Sequence, residues 1–104
     1  MARKPRSGPA SDPELLILSS LADGPKHGYG IMIDITAFAG VTLGPGTLYT
    51  AISRLAEKKL IAPAAADGRQ RPYRLTSKGA TVLTEQLTEM RRVAAIGLTR
   101  LRPA

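Results

Sequence analysis

The sequence contains no cysteine and no tryptophan, and its only aromatic residues are three tyrosines and one phenylalanine. Without cysteine, disulfides, thiolate metal sites and cysteine nucleophiles are excluded. The longest fully apolar runs, such as 15–18 and 93–96, are far shorter than a membrane span. The N-terminal segment also lacks the apolar stretch of a signal peptide. We therefore expect a cytoplasmic protein.

Acidic residues are scarce relative to basic ones. Fifteen Lys and Arg against eight Asp and Glu give a formal net charge of +7. Such an excess favours a polyanionic partner, either nucleic acid or an anionic membrane surface. The 104 residues fit one small domain, a size that often shares a core by forming oligomers.

The chain begins with a basic segment, and a first helix follows it. Residues 1–10 mix Arg and Lys with Pro, Ser and Gly, which predicts a disordered tail. Two caps for the helix remain open: Ser11 and Glu14 fit a capping box, and Asp12 before Pro13 fits equally well.

A second helix is predicted between two glycine-rich breaks. Gly24-Pro25 ends the first helix, and the second runs from about Gly28 to Ala39, where Gly40 ends it. The segment 41–43 is predicted to be a short extended piece. Helical spacing leads us to expect Ile31, Ile35, Phe38 and Ala39 to face the core.

Residues 43–55 read LGPGTLYTAISRL, so Gly-Pro-Gly-Thr stands directly before a third helix, which we expect over 45–59. A helix N-terminus attracts anions, but a P-loop nucleotide site is excluded because this segment has no lysine. In projection, Leu48, Ile52 and Leu55 form a core stripe, and the opposite face is suited to a major groove. The candidate DNA contacts on this helix are Thr47, Tyr49, Thr50, Ser53 and Arg54.

A short hairpin is predicted over 60–76, around a turn at Asp67-Gly68. By strand alternation, Tyr73 and Leu75 point towards the core and Arg74 points away. Arginines near the tip of a hairpin suit a wing that contacts the phosphate backbone or the minor groove. The candidate wing contacts are Arg69, Arg71 and Arg74.

A long final helix, capped by Thr76 or Ser77, is predicted to reach about Leu101. Its apolar stripe is wider than one small domain needs, which indicates a partner helix. Gly97 occupies one position of this stripe. The candidate dimerisation residues are Leu83, Leu87, Met90, Ala94, Leu98 and Leu101.

These elements predict a mostly α-helical fold with a small β-hairpin. Residues 11–76 form a winged helix-turn-helix and 77–104 a dimerisation helix. His27, the single histidine, cannot make a typical zinc site alone, and no nucleophile or metal-helix motif occurs, so we expect no enzyme, metal or cofactor. The alternative is a basic module for anionic membrane surfaces or for non-specific nucleic acid binding. That module would need Trp or Phe anchors.

Three segments, LLILSSLADGPKHGYGI, LGPGTLYTAISRLAEKKLI and RPYRLTSKG, resemble the PadR family of winged-helix transcriptional regulators in order and spacing. The resemblance implies a homodimeric transcription factor, usually a repressor, that dimerises through its C-terminal helix. It makes Arg69 and Arg71 the wing contacts, although the alanine-rich first wing strand with Pro63 departs from the family pattern. On the recognition helix it makes Thr47, Tyr49, Thr50 and Arg54 the contacts.

Two further expectations concern DNA and effectors. Two-fold symmetry of the dimer predicts a pseudo-palindromic double-stranded operator. The resemblance also implies control by small, often aromatic, compounds in some members. Because the last helix has no aromatic residue, we expect any effector site to be small and aliphatic, near Met90 and Gly97.

Overall fold

Four helices and one β-hairpin follow one another in the structure, a computed structural model that describes residues 11–65 and 68–103. This order confirms the predicted fold class. The predicted tail over 1–10 and Asp67 of the predicted turn lie outside the described residues. In chain order the elements are α1 (Pro13–Leu21), α2 (Gly28–Ala39), α3 (Pro45–Glu57), β1 (Ile61–Pro63), β2 (Tyr73–Leu75) and α4 (Ser77–Leu101).

The first helix is the central element of the core. Asp12 is its N-cap, because the Asp12 carboxylate accepts a hydrogen bond from the Glu14 amide at 3.1 Å, and Pro13 occupies the first turn. The second of the two predicted caps is therefore correct. The helix packs against α2, α3, α4 and β2, which explains why it is apolar around almost its whole circumference. Its buried apolar residues are Leu15, Leu16, Ile17, Leu18 and Leu21.

The turn between α1 and α2 is held by a polar network around Lys26. The helix ends at Leu21, earlier than the Gly24-Pro25 break. The Lys26 ammonium binds the Ser20 carbonyl and the Asp23 carboxylate, and the buried Ser20 hydroxyl donates to Asp34 at 2.7 Å. The hydrogen bond and the positive charge of Lys26 lower the pKa of the Asp23 carboxyl below its ordinary value.

The second helix has the predicted bounds, with Gly40 in the left-handed conformation (φ 67°) after its last residue. Ile31 and Ile35 are buried, but the prediction for Phe38 is wrong because its side chain is 51% exposed. Phe38 lies in the last turn of the helix, where Ala39, and not Phe38, packs against the core. The segment predicted to be a short extended piece, 41–43, pairs with no described strand, and the Thr36 hydroxyl donates to the Val41 carbonyl at 3.2 Å.

The third helix ends in a Schellman motif. The Leu60 amide donates to the Leu55 carbonyl and the Lys59 amide to the Ala56 carbonyl, both at 3.0 Å. This arrangement places Lys59 in the left-handed conformation at φ 63°, where glycine is usual. The helix therefore ends at Glu57, two residues before the predicted end.

The hairpin is short and is extended by the α1–α2 turn. β1 and β2 are antiparallel, with Ile61 opposite Leu75 and Pro63 opposite Tyr73. On the other edge of β2, Tyr73 pairs with Lys26 through two backbone hydrogen bonds. The Lys26 amide donates to the Tyr73 carbonyl at 3.1 Å, and the Tyr73 amide donates to the Lys26 carbonyl at 2.9 Å. The wing is thereby attached to the helix-turn-helix through main-chain atoms.

The fourth helix leaves the domain along most of its length. Thr76 caps it by accepting from the Gly79 amide at 2.9 Å, which confirms the first predicted cap. Gly79 and Leu83 are buried, whereas every described residue from position 91 onwards is exposed. The helix has 25 residues, a length of about 37 Å, so its second half projects beyond the core.

Candidate nucleic-acid interface

The amino-terminal end of α3 offers free backbone donors to a ligand. Gly44 is the N-cap and makes no side-chain cap hydrogen bond, and Pro45 fills the first position. In the described part of the chain the amides of Gly46 and Thr47 have no hydrogen-bond partner. A Cβ atom on either Gly44 or Gly46 would meet nothing within 4 Å. The Gly-Pro-Gly-Thr segment thus gives an open helix end that can approach an anion.

The outward face of α3 carries the predicted contacts. The core stripe of Leu48, Ile52 and Leu55 is buried as predicted. The opposite face presents short hydroxyl side chains and an arginine, the groups that bond base edges and phosphates. The predicted contact residues are all exposed: Thr47, Tyr49, Thr50, Ser53 and Arg54.

Tyr49 connects α3 with α2 and the wing. Its side chain is 50% exposed, and its hydroxyl has no hydrogen-bond partner among the residues described. A shallow cleft brings Tyr49 together with the wing arginines Arg69 and Arg71 and with the first turn of α2. The recognition helix and the wing therefore present their polar groups to one shared surface.

The wing strand alternates as predicted. Tyr73 and Leu75 are half-buried, whereas Arg74 between them is exposed. Arg69 and Arg71 precede the strand and are also exposed. The named strands stop at Pro63 and begin again at Tyr73, and the Ala64 amide continues the pairing by donating to the Pro72 carbonyl at 2.8 Å.

The basic groups of this surface are free to bind phosphate. Across residues 11–65 and 68–103, the ion pairs involve Lys26, Lys58 and Arg92, and none of them involves a predicted DNA contact. Lys58 is paired with Glu14 of α1 at 2.8 Å, at the C-terminal end of α3. The predicted arginine contacts without such a partner are Arg54, Arg69, Arg71 and Arg74.

Sequence reasoning missed the contribution of α2 to this surface. His27 is the N-cap of α2, and its Nδ1 accepts from the Gly30 amide at 3.4 Å. Tyr29 is 61% exposed and lines the same cleft as Tyr49. The available signal was the polar-aromatic KHGYG segment at a helix start, but only the packing of α2 beside α3 shows which side it faces.

The predicted dimerisation residues fall into two groups. Leu83 is a correction: it is 5% exposed and belongs to the core of the protomer, because the first two turns of α4 pack on the domain. Met90 is partly buried against the same core. The others are exposed on α4, together with Val93 and Ile96. This exposed set is Leu87, Ala94, Leu98 and Leu101.

The described residues contain neither a membrane-spanning helix nor a cluster of metal ligands. No helix there is both long and apolar enough to span a membrane. No group of three acidic or histidine side chains in those residues is arranged to hold a metal ion.

Fold and surface together define a winged helix-turn-helix DNA-binding protein. The model of the transcriptional regulator PadR-like family matches residues 17–85, and the chain belongs to that family. Members of this family are transcriptional regulators. The predicted family is thereby confirmed.

The chain is also similar to individual proteins. The chain is 44% identical over 84 residues to an uncharacterized 37.1 kDa protein in transposon TN4556 of Streptomyces fradiae. The aligned segment covers 81% of this chain and 24% of that relative. The chain thus spans about a quarter of the length of this curated relative. A PadR family transcription regulator from Clostridium difficile has 25% identity and a TM-score of 0.77, covering 86% of this chain and 98% of that one. A PadR-like regulator from Bacillus cereus has the same fold at 20% identity, with a TM-score of 0.77 over 88% and 92% of the two chains.

Proposed function

We propose that the protein acts as a homodimer that binds a pseudo-palindromic operator and represses transcription. The observation that carries the DNA-binding mode is the shared cleft of Tyr49, Arg69 and Arg71, in which recognition helix and wing meet. The arginines there have no ion-pair partner in the described segments. A concave surface of this kind suits a duplex whose backbone crosses the wing.

The residues divide into readers of bases and binders of the backbone. Thr50 and Arg54 lie on the outward face of α3, where hydroxyl and guanidinium groups reach base edges in the major groove. Arg69, Arg71 and Arg74 belong to the wing and bind phosphates or enter the minor groove. Thr47, Ser53 and the Tyr49 hydroxyl support the docking from the borders of the helix.

The dimer is built on the exposed half of α4. Leu87, Leu98 and Leu101 share one face of α4 and are 42%, 70% and 81% exposed, although they lie on a helix whose first turns are anchored in the core. Leaving these side chains in water is unfavourable, and burial against a second α4 removes them from it. Two protomers joined in this way present two recognition helices related by two-fold symmetry, which calls for inverted half-sites.

Repression follows from occupancy of the operator. A dimer whose recognition helices and wings lie along the duplex excludes polymerase from the same base pairs. The compartment that fits this role is the cytoplasm, where bacterial DNA is accessible.

A groove beside α4 is the place that suits a small effector. It has a volume of 440 Å³, an apolar floor of Leu15 and Met90, and a rim that includes the acidic residues Glu85 and Glu89. An aliphatic floor with carboxylates on the rim favours a small aliphatic cation over a flat aromatic compound. Calorimetric titration with alkylamines and with planar aromatic compounds tests this; tighter binding of the aromatic set would contradict it.

A reporter experiment tests the proposed function as a whole. The natural operator, recovered by sequencing genomic fragments that the protein retains, is placed over a promoter in a host that lacks the regulator. We expect expression of the protein to lower reporter output, and an Arg54→Ala variant to restore it. Increased output with the wild type would show activation instead of repression.

A further inference from the structure

The first residue of α2 has no side chain at the point where α3 passes closest to it. Gly28 is buried at the start of the helix, and the phenol of Tyr49 lies directly on it. A Cβ atom built on Gly28 would be 2.3 Å from the Tyr49 hydroxyl oxygen, 2.8 Å from Cζ and 3.0 Å from Cε1. Real Cβ atoms do not approach other heavy atoms so closely, so any other residue at position 28 displaces this ring.

We propose that Gly28 is a positioning residue for DNA binding, since its missing side chain fixes the orientation in which the Tyr49 hydroxyl faces the duplex. The inference rests on the proposed role of Tyr49 as a backbone contact. It assigns to Gly28 no contact with DNA of its own. Gly28 acts by leaving room for the ring of Tyr49, which holds the hydroxyl between the first turn of α2 and the wing arginines.

The backbone conformation of Gly28 does not itself require glycine. Its φ is not in the left-handed region, unlike that of Gly24, Gly40 and Gly68, so the backbone there accepts any residue without strain. The atoms in the way belong to the far end of a side chain that is half exposed. The ring can therefore swing out towards solvent, and Gly28→Ala moves Tyr49 rather than unfolding the protein.

Gly30 supplies a matched control in the same helix. A Cβ atom at that position would have its nearest neighbours at 3.7 Å or more, which is ordinary van der Waals contact. Gly30→Ala thus makes the same change of helix propensity in α2 without touching Tyr49. Any difference between the two variants reports on the ring.

The experiment measures binding of a fluorescently labelled random-sequence duplex, because a backbone contact does not depend on sequence. Gly28→Ala, Gly30→Ala, Tyr49→Ala and the double variant Gly28→Ala/Tyr49→Ala are compared by anisotropy and by thermal unfolding. We expect Gly28→Ala to bind about tenfold more weakly, the equivalent of one lost hydrogen bond to a charged group. Its thermal midpoint should not fall below that of the wild type, and Gly30→Ala should bind normally.

The double variant provides the sharpest comparison. With Ala at position 49 the space above residue 28 is empty, so we expect the double variant and Tyr49→Ala to bind equally. If Gly28→Ala instead lowers the midpoint, the Tyr49→Ala background must restore it. A loss of affinity or stability that persists in that background would overturn the inference, as would binding by Gly28→Ala at the level of Gly30→Ala.

The same variants show whether the proposed DNA contact of Tyr49 is itself wrong. If Tyr49→Ala binds the duplex as tightly as the wild type, then Tyr49 is not a DNA contact, and the role of Gly28 is lost with it. If Tyr49→Ala weakens binding while Gly28→Ala acts independently of it, the contact stands and the positioning role alone is wrong.

Discussion

The Thr76 hydroxyl donates to the carbonyl oxygen of Lys59 at 2.7 Å, which joins the chain just after α3 to the residue that precedes α4. The Thr76 hydroxyl oxygen also accepts from the Gly79 amide at 2.9 Å, and the Thr76 amide donates to the Leu60 carbonyl at 3.1 Å. The orientation of the long helix relative to the recognition helix is therefore set by direct hydrogen bonds. In a dimer held by α4, this junction sets the distance between the two recognition helices.

Removing the Thr76 hydroxyl should weaken the junction. We expect Thr76→Val to lower the free energy of unfolding by about 1–2 kcal/mol, the loss typical of an N-cap, because one substitution removes both bonds. Thr76→Ser keeps the hydroxyl and should remain close to the wild type. Urea denaturation of the three proteins checks this, and equal stability of the valine and serine variants would show that the bonds contribute little.

The two glycines of α4 should respond in opposite ways to alanine. A Cβ atom on Gly79 would lie 2.0 Å from the Leu60 carbonyl oxygen, a backbone atom, whereas one on Gly97 would meet nothing within 4 Å. We expect Gly79→Ala to destabilise the protein by about 3 kcal/mol through overpacking. Gly97→Ala should be neutral or stabilise it by up to about 1 kcal/mol. Thermal unfolding ranks the two variants, and a tolerated Gly79→Ala would contradict the close packing of α4 on the Leu60 backbone.

Lys59 is a place where stability can be gained. Its left-handed conformation costs an L-residue about 1–2 kcal/mol, and glycine does not carry this cost. We expect Lys59→Gly to raise the free energy of unfolding by about 1 kcal/mol relative to Lys59→Ala, which removes the same charge but keeps the strain. Chemical denaturation distinguishes them. Equal stability of the two variants would indicate that the positive φ is relaxed in solution.

The sequence predicted the elements well because their signals are local. Asp12, Thr76 and Gly40 are end signals that act within one turn of their helix, and the structure places them at helix ends. Leu48, Ile52 and Leu55 likewise follow from periodicity. The roles of these residues could be predicted without knowing how the neighbouring elements pack.

The errors lie where burial depends on neighbours distant in sequence. Phe38 has the spacing of a core residue, but in the last turn of α2 it is Ala39 that packs against the core, and Leu83 belongs to the core because α4 packs on it before leaving the domain. The contact of Gly28 with Tyr49 joins residues of two helices, and no pattern within either helix encodes it. The same holds for the pairing of Lys26 with Tyr73.

Base reading and backbone binding should separate by mutation. Thr50→Ala and Arg54→Ala should reduce discrimination between operator and random duplex, because a good base contact contributes about 1–3 kcal/mol. Arg69→Ala and Arg71→Ala should weaken both duplexes alike and reduce the salt slope of binding by about 1 each. Anisotropy titrations over a range of salt concentrations measure both quantities. The opposite pattern would exchange the proposed roles of helix and wing.

A charged side chain in the exposed apolar set of α4 should dissociate the proposed dimer. Leu87→Asp would place an unpaired carboxylate in the dimer interface, which is strongly unfavourable, so we expect a monomer in sedimentation velocity runs. Thr88→Asp, one residue further along the same helix and also exposed, introduces the same charge outside the stripe and should remain a dimer. A dimeric Leu87→Asp variant would place the interface elsewhere.

Selection of bound duplexes from a random pool, followed by sequencing, tests the central claim most directly, since it asks for DNA reading and two-fold symmetry together. A dimer with one recognition helix in each protomer should enrich an inverted repeat whose half-sites lie about one helical turn apart, or a multiple of it. Enrichment of a single unrepeated motif, or no enrichment over the starting pool, would contradict a dimeric sequence-specific regulator.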